Sequence, residues 1–279
     1  MKMVLRQSAA AVLFGLSLSA SAGETLSFNP SQLFLQGGVA QLNSEFSQNT
    51  GIKIEMPDNP SGCGATVLGL KTGKLDAGIM CCPPNSADLG QGLVASAVAR
   101  DGLVFSVHAS NPVQSLTSAQ VRDIYQGRIS NWKELGGRDA PIHPYAFIMC
   151  PQRVEEMRSH LVGERDFKNG VVGIDNSKLA ASVQRVKPGI KVNQSVADDP
   201  NGIGISSTAY APVQGVKFIR LDGVEASPQN IMDESYPAVR YLYVVTKGYP
   251  AGSTKAYIDY MRSPQGQDLL SKEGRLGRI

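Results

Sequence analysis

Hydrophobic and polar positions along the chain keep switching between two rhythms. Thr25-Leu26-Ser27-Phe28 is a short apolar strand, residues 36–51 carry helical spacing that stops at Gly51, and residues 52–56 (IKIEM) form a second strand. Residues 65–74 (ATVLGLKTGK) then predict a short helix and residues 75–80 (LDAGIM) a buried strand. This alternation predicts an α/β fold with a mostly parallel sheet, and ligands in such sheets sit at the carboxyl ends of the strands. Further on, residues 103–110 (LVFSVHAS) read as a strand, and residues 116–137 give a helix and turn that open a second unit. Residues 141–147 are a strand leading to a helix at 150–164, with Pro151 suited to its first turn. Residues 202–207 (GIGISS) belong to the same unit, while the strand at 239–247 and one long helix at 253–274 return to the first. The expected organisation is two lobes, residues 23–110 with 220–279 and residues 111–219, with crossings near Asn111 and Arg220. No repeat, low-complexity segment or long linker interrupts it.

The first residues change the compartment. Lys2 and Arg6 precede a small, apolar run from Ala9 to Leu18, and Ala20-Ser21-Ala22 supplies a cleavage signature, so residues 1–22 read as a secretory signal peptide. That run is too short to span a bilayer, and every later apolar run is interrupted, which predicts a soluble, exported, periplasmic protein. The whole chain has 27 basic and 24 acidic residues, and without Lys2 and Arg6 the balance is 25 to 24. Near-neutral charge gives no basis for a nucleic-acid partner or a membrane-surface role.

Export makes the four cysteines informative, because thiols in an oxidising space default to disulfides. Cys81 and Cys82 are adjacent, however, and could bond each other only through a strained ring. A domain of this length also buries enough core to need no staples. Both Ser61-Gly62-Cys63-Gly64 and Cys81-Cys82-Pro83-Pro84 fall at carboxyl ends of predicted strands.

The stretch from Ala99 to Gly137 (ARDGLVFSVHASNPVQSLTSAQVRDIYQGRISNWKELGG), together with DDPNGIGI and the closing YIDYMRSPQGQDLLSKEG, resembles the periplasmic phosphate-binding proteins of ABC transporters. The resemblance spans nearly all of the exported chain. It implies a two-lobed type II periplasmic binding fold, each lobe a sheet flanked by helices. Such a protein closes as a monomer over one small inorganic ligand and presents it to an inner-membrane permease. In that family a Gly-Ser-Gly loop is usual where this chain has Gly62-Cys63-Gly64, and Ser-Arg-Pro is common where it has Cys81-Cys82-Pro83. The family's Ser-Gly-Thr-Arg becomes Cys150-Pro151-Gln152-Arg153. By resemblance, then, all four cysteines face the ligand, with Ser31, Gln32, Ser61, Gly62, Gly64 and Arg153 as further ligand contacts.

A phosphate site is built from backbone N–H groups, hydroxyls and an arginine. Thiols are weak donors, and Cys82 stands where the family has its arginine, so tight phosphate binding is not expected from these residues. Cys63 and Cys150 each begin a predicted helix, where the helix end stabilises thiolate. Four thiolates converging from two lobes would suit a soft ligand: zinc, copper(I), arsenite, an iron–sulfur cluster or haem. Ordinary oxyanion transport and a cofactor-holding redox or sensor protein are the alternatives. His108 and His160 read as structural or surface residues, and His143, nearer Cys150 but seven residues before it on an extended segment, need not share its end; Met80 and Met149 read as core, and Tyr125 and Trp132 as the cement of the second lobe. No nucleophile–base–acid set and no C-x-x-C motif is present, so a binding protein is expected, not an enzyme.

Overall fold

The computed structural model describes residues 24–36, 38–58, 62–81, 84, 86–147, 179–210, 213–272 and 276–279. The first part follows the expected alternation: β1 (Thr25–Asn29), α1 (Gln32–Leu35), α2 (Val39–Thr50), β2 (Lys53–Glu55), α3 (Cys63–Lys71) and β3 (Ala77–Met80). α2 ends where the sequence says, because Gly51 adopts a left-handed φ of 74° and returns its N–H to Ser47 O. α1 is an extra turn begun by Ser31, whose Oγ accepts from Phe34 N at 3.2 Å.

After α4 (Ser86–Gly90) comes β4 (Leu93–His108), twice the length read from the sequence. Arg100-Asp101-Gly102 suggests a turn, yet it lies in mid-strand. Asp101 is tolerated there because Arg240 pairs with it, and Gly102 because a side chain would crowd Ile231 and Thr208, each at 3.0 Å. The second unit holds β5 (Ser115–Leu116), α5 (Ser118–Tyr125), a 3-10 turn at Trp132–Leu135, β6 (His143–Phe147), β7 (Gln184–Val186), α6 (Lys191–Ala197), β8 (Gly202–Ser207) and β9 (Val216–Leu221). Then follow α7 (Pro228–Met232), β10 (Val239–Lys247), α8 (Gly252–Arg262) and α9 (Pro264–Leu270). The expected single C-terminal helix is two, since Pro264 cannot continue α8 and Ser263 caps α9 by accepting from Gly266 N at 3.1 Å.

Pairing is mixed, not mostly parallel. β1 runs parallel to β2 and β3, and β6 parallel to β7 and β8, but β10 and β4 join these groups through antiparallel ladders. The reason lies in β4, which pairs β10 through Gly102 and then β8 and β9 from Leu103 onward. One strand therefore serves both lobes of this type II fold, and its partners change at Gly102–Leu103, some residues before Asn111. The return runs through residues 222–238 into β10.

Two large apolar clusters flank the sheet. Phe28, Phe34, Phe46, Leu242 and Tyr257 anchor one, and Phe105, Tyr125, Trp132 and Ile205 are in the other. Tyr125 and Trp132 do hold the second lobe together. The Tyr125 hydroxyl donates to Tyr145 O at 3.0 Å, and Trp132 Nε1 donates to Asn201 O at 2.9 Å. Met80 is fully buried, in core as read. Among the described residues no helix is long and apolar enough to cross a membrane.

Candidate functional site

Four strand ends converge over the middle of β4. β3 leaves its ladder after Met80, which pairs with Tyr243, while β10 begins at Val239 opposite Gly102. From the other lobe β8 ends at Ser207 opposite Leu103, and β6, parallel to β8, ends at Phe147. Carboxyl ends of parallel strands from both lobes thus face one another across the point where β4 changes partners, the place such sheets bind ligands.

The predicted first-lobe residues lie along this edge. α3 starts at Cys63 behind the cap residue Gly62 and runs back along β3, so its amino end and the carboxyl end of β3 lie together. The leading N–H groups of a helix have no carbonyl within it to meet and carry partial positive charge outward. Asn29, at the end of β1, donates to Thr66 Oγ1 of α3 at 2.7 Å, tying the Ser31 turn to this helix. Gly78 lets them approach, since a Cβ there would lie 2.5 Å from Thr66 Cγ2 and 3.1 Å from Asn29 O. The Ser31 hydroxyl spends its acceptor on capping α1 and keeps its hydrogen to donate. Gln32 is exposed and Gly64 half-buried. Cys63 is buried in the cluster that holds Met80 and Phe105, and Cys81, half-buried, touches both clusters. Ser61, Cys82, Cys150 and Arg153 lie outside the described residues, as do the signal segment and the helix expected at 150–164. Among the described residues no group of three or more His, Cys, Asp or Glu side chains is placed to hold a metal ion.

Behind these loops lies a buried charged set that sequence reasoning missed. Asp101 is fully buried and Arg240 is 1% exposed. Arg240 Nε donates to Asp101 Oδ2 at 2.7 Å. Asp101 Oδ1 accepts from Ser207 Oγ at 2.6 Å and from Thr208 Oγ1 at 3.2 Å. Tyr210 completes the set. Burial pushes its hydroxyl up to about 12, with Arg240 opposing and Asp101 and Cys81 reinforcing the shift. Tyr210 also reaches the second-lobe edge, for a Cβ on Gly189 would meet its hydroxyl at 2.7 Å and Phe147 Cβ at 3.3 Å. The signal available in the sequence was a pair of opposite charges, Asp101 and Arg240, each beside an apolar run.

His160 lies outside the described residues, and His143 and His108 stand apart from this edge. His143 Nδ1 contacts Asp199 at 2.8 Å, and Tyr145 donates to the same carboxylate oxygen at 2.8 Å. His108 Nδ1 meets Ser110 Oγ at 2.8 Å.

Residues 31–265 match the model of the PBP superfamily domain. The phosphate-binding protein PstS of Bacillus subtilis is 27% identical over 178 residues, covering 64% of this chain and 55% of the relative, so the chain spans little more than half of that protein. A crystal structure from Clostridium perfringens, described as a phosphate ABC transporter substrate-binding protein with bound phosphate, superposes with a TM-score of 0.75 and 28% identity. That match covers 92% of this chain and 100% of the other. An ABC-type phosphate transport receptor from Vibrio cholerae shares the fold, with a TM-score of 0.68 and 20% identity over 92% of this chain and all of that one. A single superfamily model running from the Ser31 turn to α9 means that this chain belongs to the PBP superfamily, and its sequence and fold are PstS-like.

Proposed function

We propose that this protein is a periplasmic receptor for a tetrahedral oxyanion, with phosphate the leading ligand, serving an ABC permease. The observation that carries this reading is the convergence, at one edge, of the α3 amino end, the Ser31 turn and the Cys81 strand end, opposite Phe147 of the other lobe. Backbone N–H groups at a helix start and a hydroxyl hydrogen are neutral donors suited to an oxyanion. The full-length likeness to a phosphate-bound relative supports the same ligand class. The cysteines enter this reading as weak donors lining the cleft in place of hydroxyls.

The lobes would be residues 23–110 with 220–279 and residues 111–219, pivoting where β4 changes partners at Gly102–Leu103. Closure over the anion would bring Phe147 toward Cys81, and only ligand that binds the closed form better can drive that motion. Binding without chemistry is in keeping with relatives named as binding proteins and transport receptors.

A direct test is to unfold protein purified from the periplasm and identify what it releases by ion chromatography. Stoichiometric phosphate or another oxyanion supports the reading. Release of zinc, copper or iron with no anion would return the cleft to a thiolate-bound metal or cluster, held by Cys63, Cys81, Cys82 and Cys150.

A further inference from the structure

Arg240 has more hydrogen-bonding capacity than the described residues around it use. It sits on β10 just beyond the rung where β3 stops, at the floor of the cleft. Among the described residues only Nε is bonded, to Asp101 Oδ2. Nη2 lies 2.5 Å from the same oxygen without hydrogen-bond geometry, and Nη1 has no partner among the described residues. Both Nη atoms are buried. A buried guanidinium with unmet N–H groups is costly, and such a group in a native fold calls for a missing partner. The groups near enough to act on its charge are Asp101, Cys81 and Tyr210, two of which line the edge described above. Asp101 in turn is spoken for: Ser207 and Thr208 occupy Oδ1 and Arg240 occupies Oδ2.

We infer that Arg240 is the cationic anchor of the cleft, its Nη groups donating to an oxyanion seated between Cys81 and Tyr210. This rests on the oxyanion reading of the site. It also accounts for how a chain with cysteine at position 82, where its relatives commonly carry arginine, would retain a charged donor: the guanidinium comes from β10. Asp101 holds the fork from below through Nε and leaves the outer N–H groups for the ligand, the bidentate geometry at which arginine surpasses lysine.

The test is calorimetric titration of the purified protein, Arg240→Lys and the double variant Asp101→Asn/Arg240→Gln with phosphate, arsenate and sulfate, with melting by circular dichroism as the check on folding. Arg240→Lys keeps a charge beside Asp101 but loses the fork, and the double variant removes both charges together should the single change unfold the chain. Each folded variant should bind about ten-fold or more weakly than wild type, the loss of a charge-assisted hydrogen bond. Unchanged affinity in a folded variant overturns the inference and leaves the oxyanion reading standing. Binding of arsenate or sulfate but not phosphate, lost in the variants, supports Arg240 and overturns phosphate as the ligand. No anion bound by wild type overturns both. One readout needs no variant: the guanidinium nitrogen signals of Arg240 in the wild-type protein should shift on saturation with the bound anion, and unmoved signals contradict the inference.

Discussion

Asp101 and Arg240 stand opposite each other in the β4–β10 register and join through their side chains across the same rung, Nε to Oδ2 at 2.7 Å. Through Ser207 and Thr208 the same carboxylate also holds the end of β8. Three chain segments from two lobes therefore meet on one buried acid, at the point where β4 passes from one lobe to the other.

Removing one partner of the Asp101–Arg240 pair should cost far more than the pair itself contributes. Asp101→Asn leaves the Arg240 charge buried without its counter-charge, and breaking a buried pair in this way costs about 3–5 kcal/mol. Ser207→Ala removes one hydroxyl from an acid that keeps other partners, at about 1 kcal/mol. Urea unfolding should order the stabilities as wild type, Ser207→Ala, Asp101→Asn. Equal stability of wild type and Asp101→Asn would show that the hub is not structural.

Alkaline unfolding should carry a tyrosine signature. Burial holds the Tyr210 hydroxyl at about 12 against an ordinary value of 10, so the folded state keeps its proton where the unfolded chain loses it. Stability is then level below pH 10 and falls between 10 and about 12. Burial also raises the buried Tyr125, Tyr236 and Tyr257, which add to the same slope. Tyr210→Phe should make the decline shallower by up to about 1.4 kcal/mol per pH unit, the share of one proton. Tyrosinate absorbance in parallel with unfolding measures this. An identical slope in the variant would mean that Tyr210 titrates as an exposed phenol.

Gly78 tests the coupling beneath the first-lobe edge. Gly78→Ala places a methyl 2.5 Å from Cγ2 of the fully buried Thr66, so overpacking should cost about 1–3 kcal/mol. Because Thr66 carries the bond to Asn29, ligand affinity should fall together with stability. Lost stability with unchanged affinity would separate that contact from the site.

Much of this was legible beforehand, and for physical reasons. Elements with one dominant period and a clear stop emerged close to their true places, as α2 did before Gly51 and β8 did at Gly202–Ser207. What stayed hidden depended on contacts distant in sequence. β4 looked broken at Arg100-Asp101-Gly102 because its compensating charge lies more than a hundred residues away in β10. The antiparallel joints at β4 and β10 likewise leave no local trace. Resemblance brought attention to the strand-end loops and their cysteines, but it drew the eye from Arg240, which lies behind them on a strand.

The cysteines separate the two ligand classes. Cys81→Ser exchanges a weak donor for a good one, so an oxyanion should bind the variant as well as or better than wild type. If the cleft holds a soft metal instead, the same change removes a ligand and zinc affinity should collapse. Parallel zinc and phosphate titrations of the two proteins distinguish these outcomes.

The central claim is most directly met by titrating inorganic phosphate into purified wild-type protein with its thiols kept reduced. Saturable binding of one phosphate per chain, weakened about ten-fold or more in folded Arg240→Lys, is the result predicted here. No binding of phosphate or any related oxyanion, with stoichiometric zinc uptake that disappears in Cys81→Ser, would contradict it.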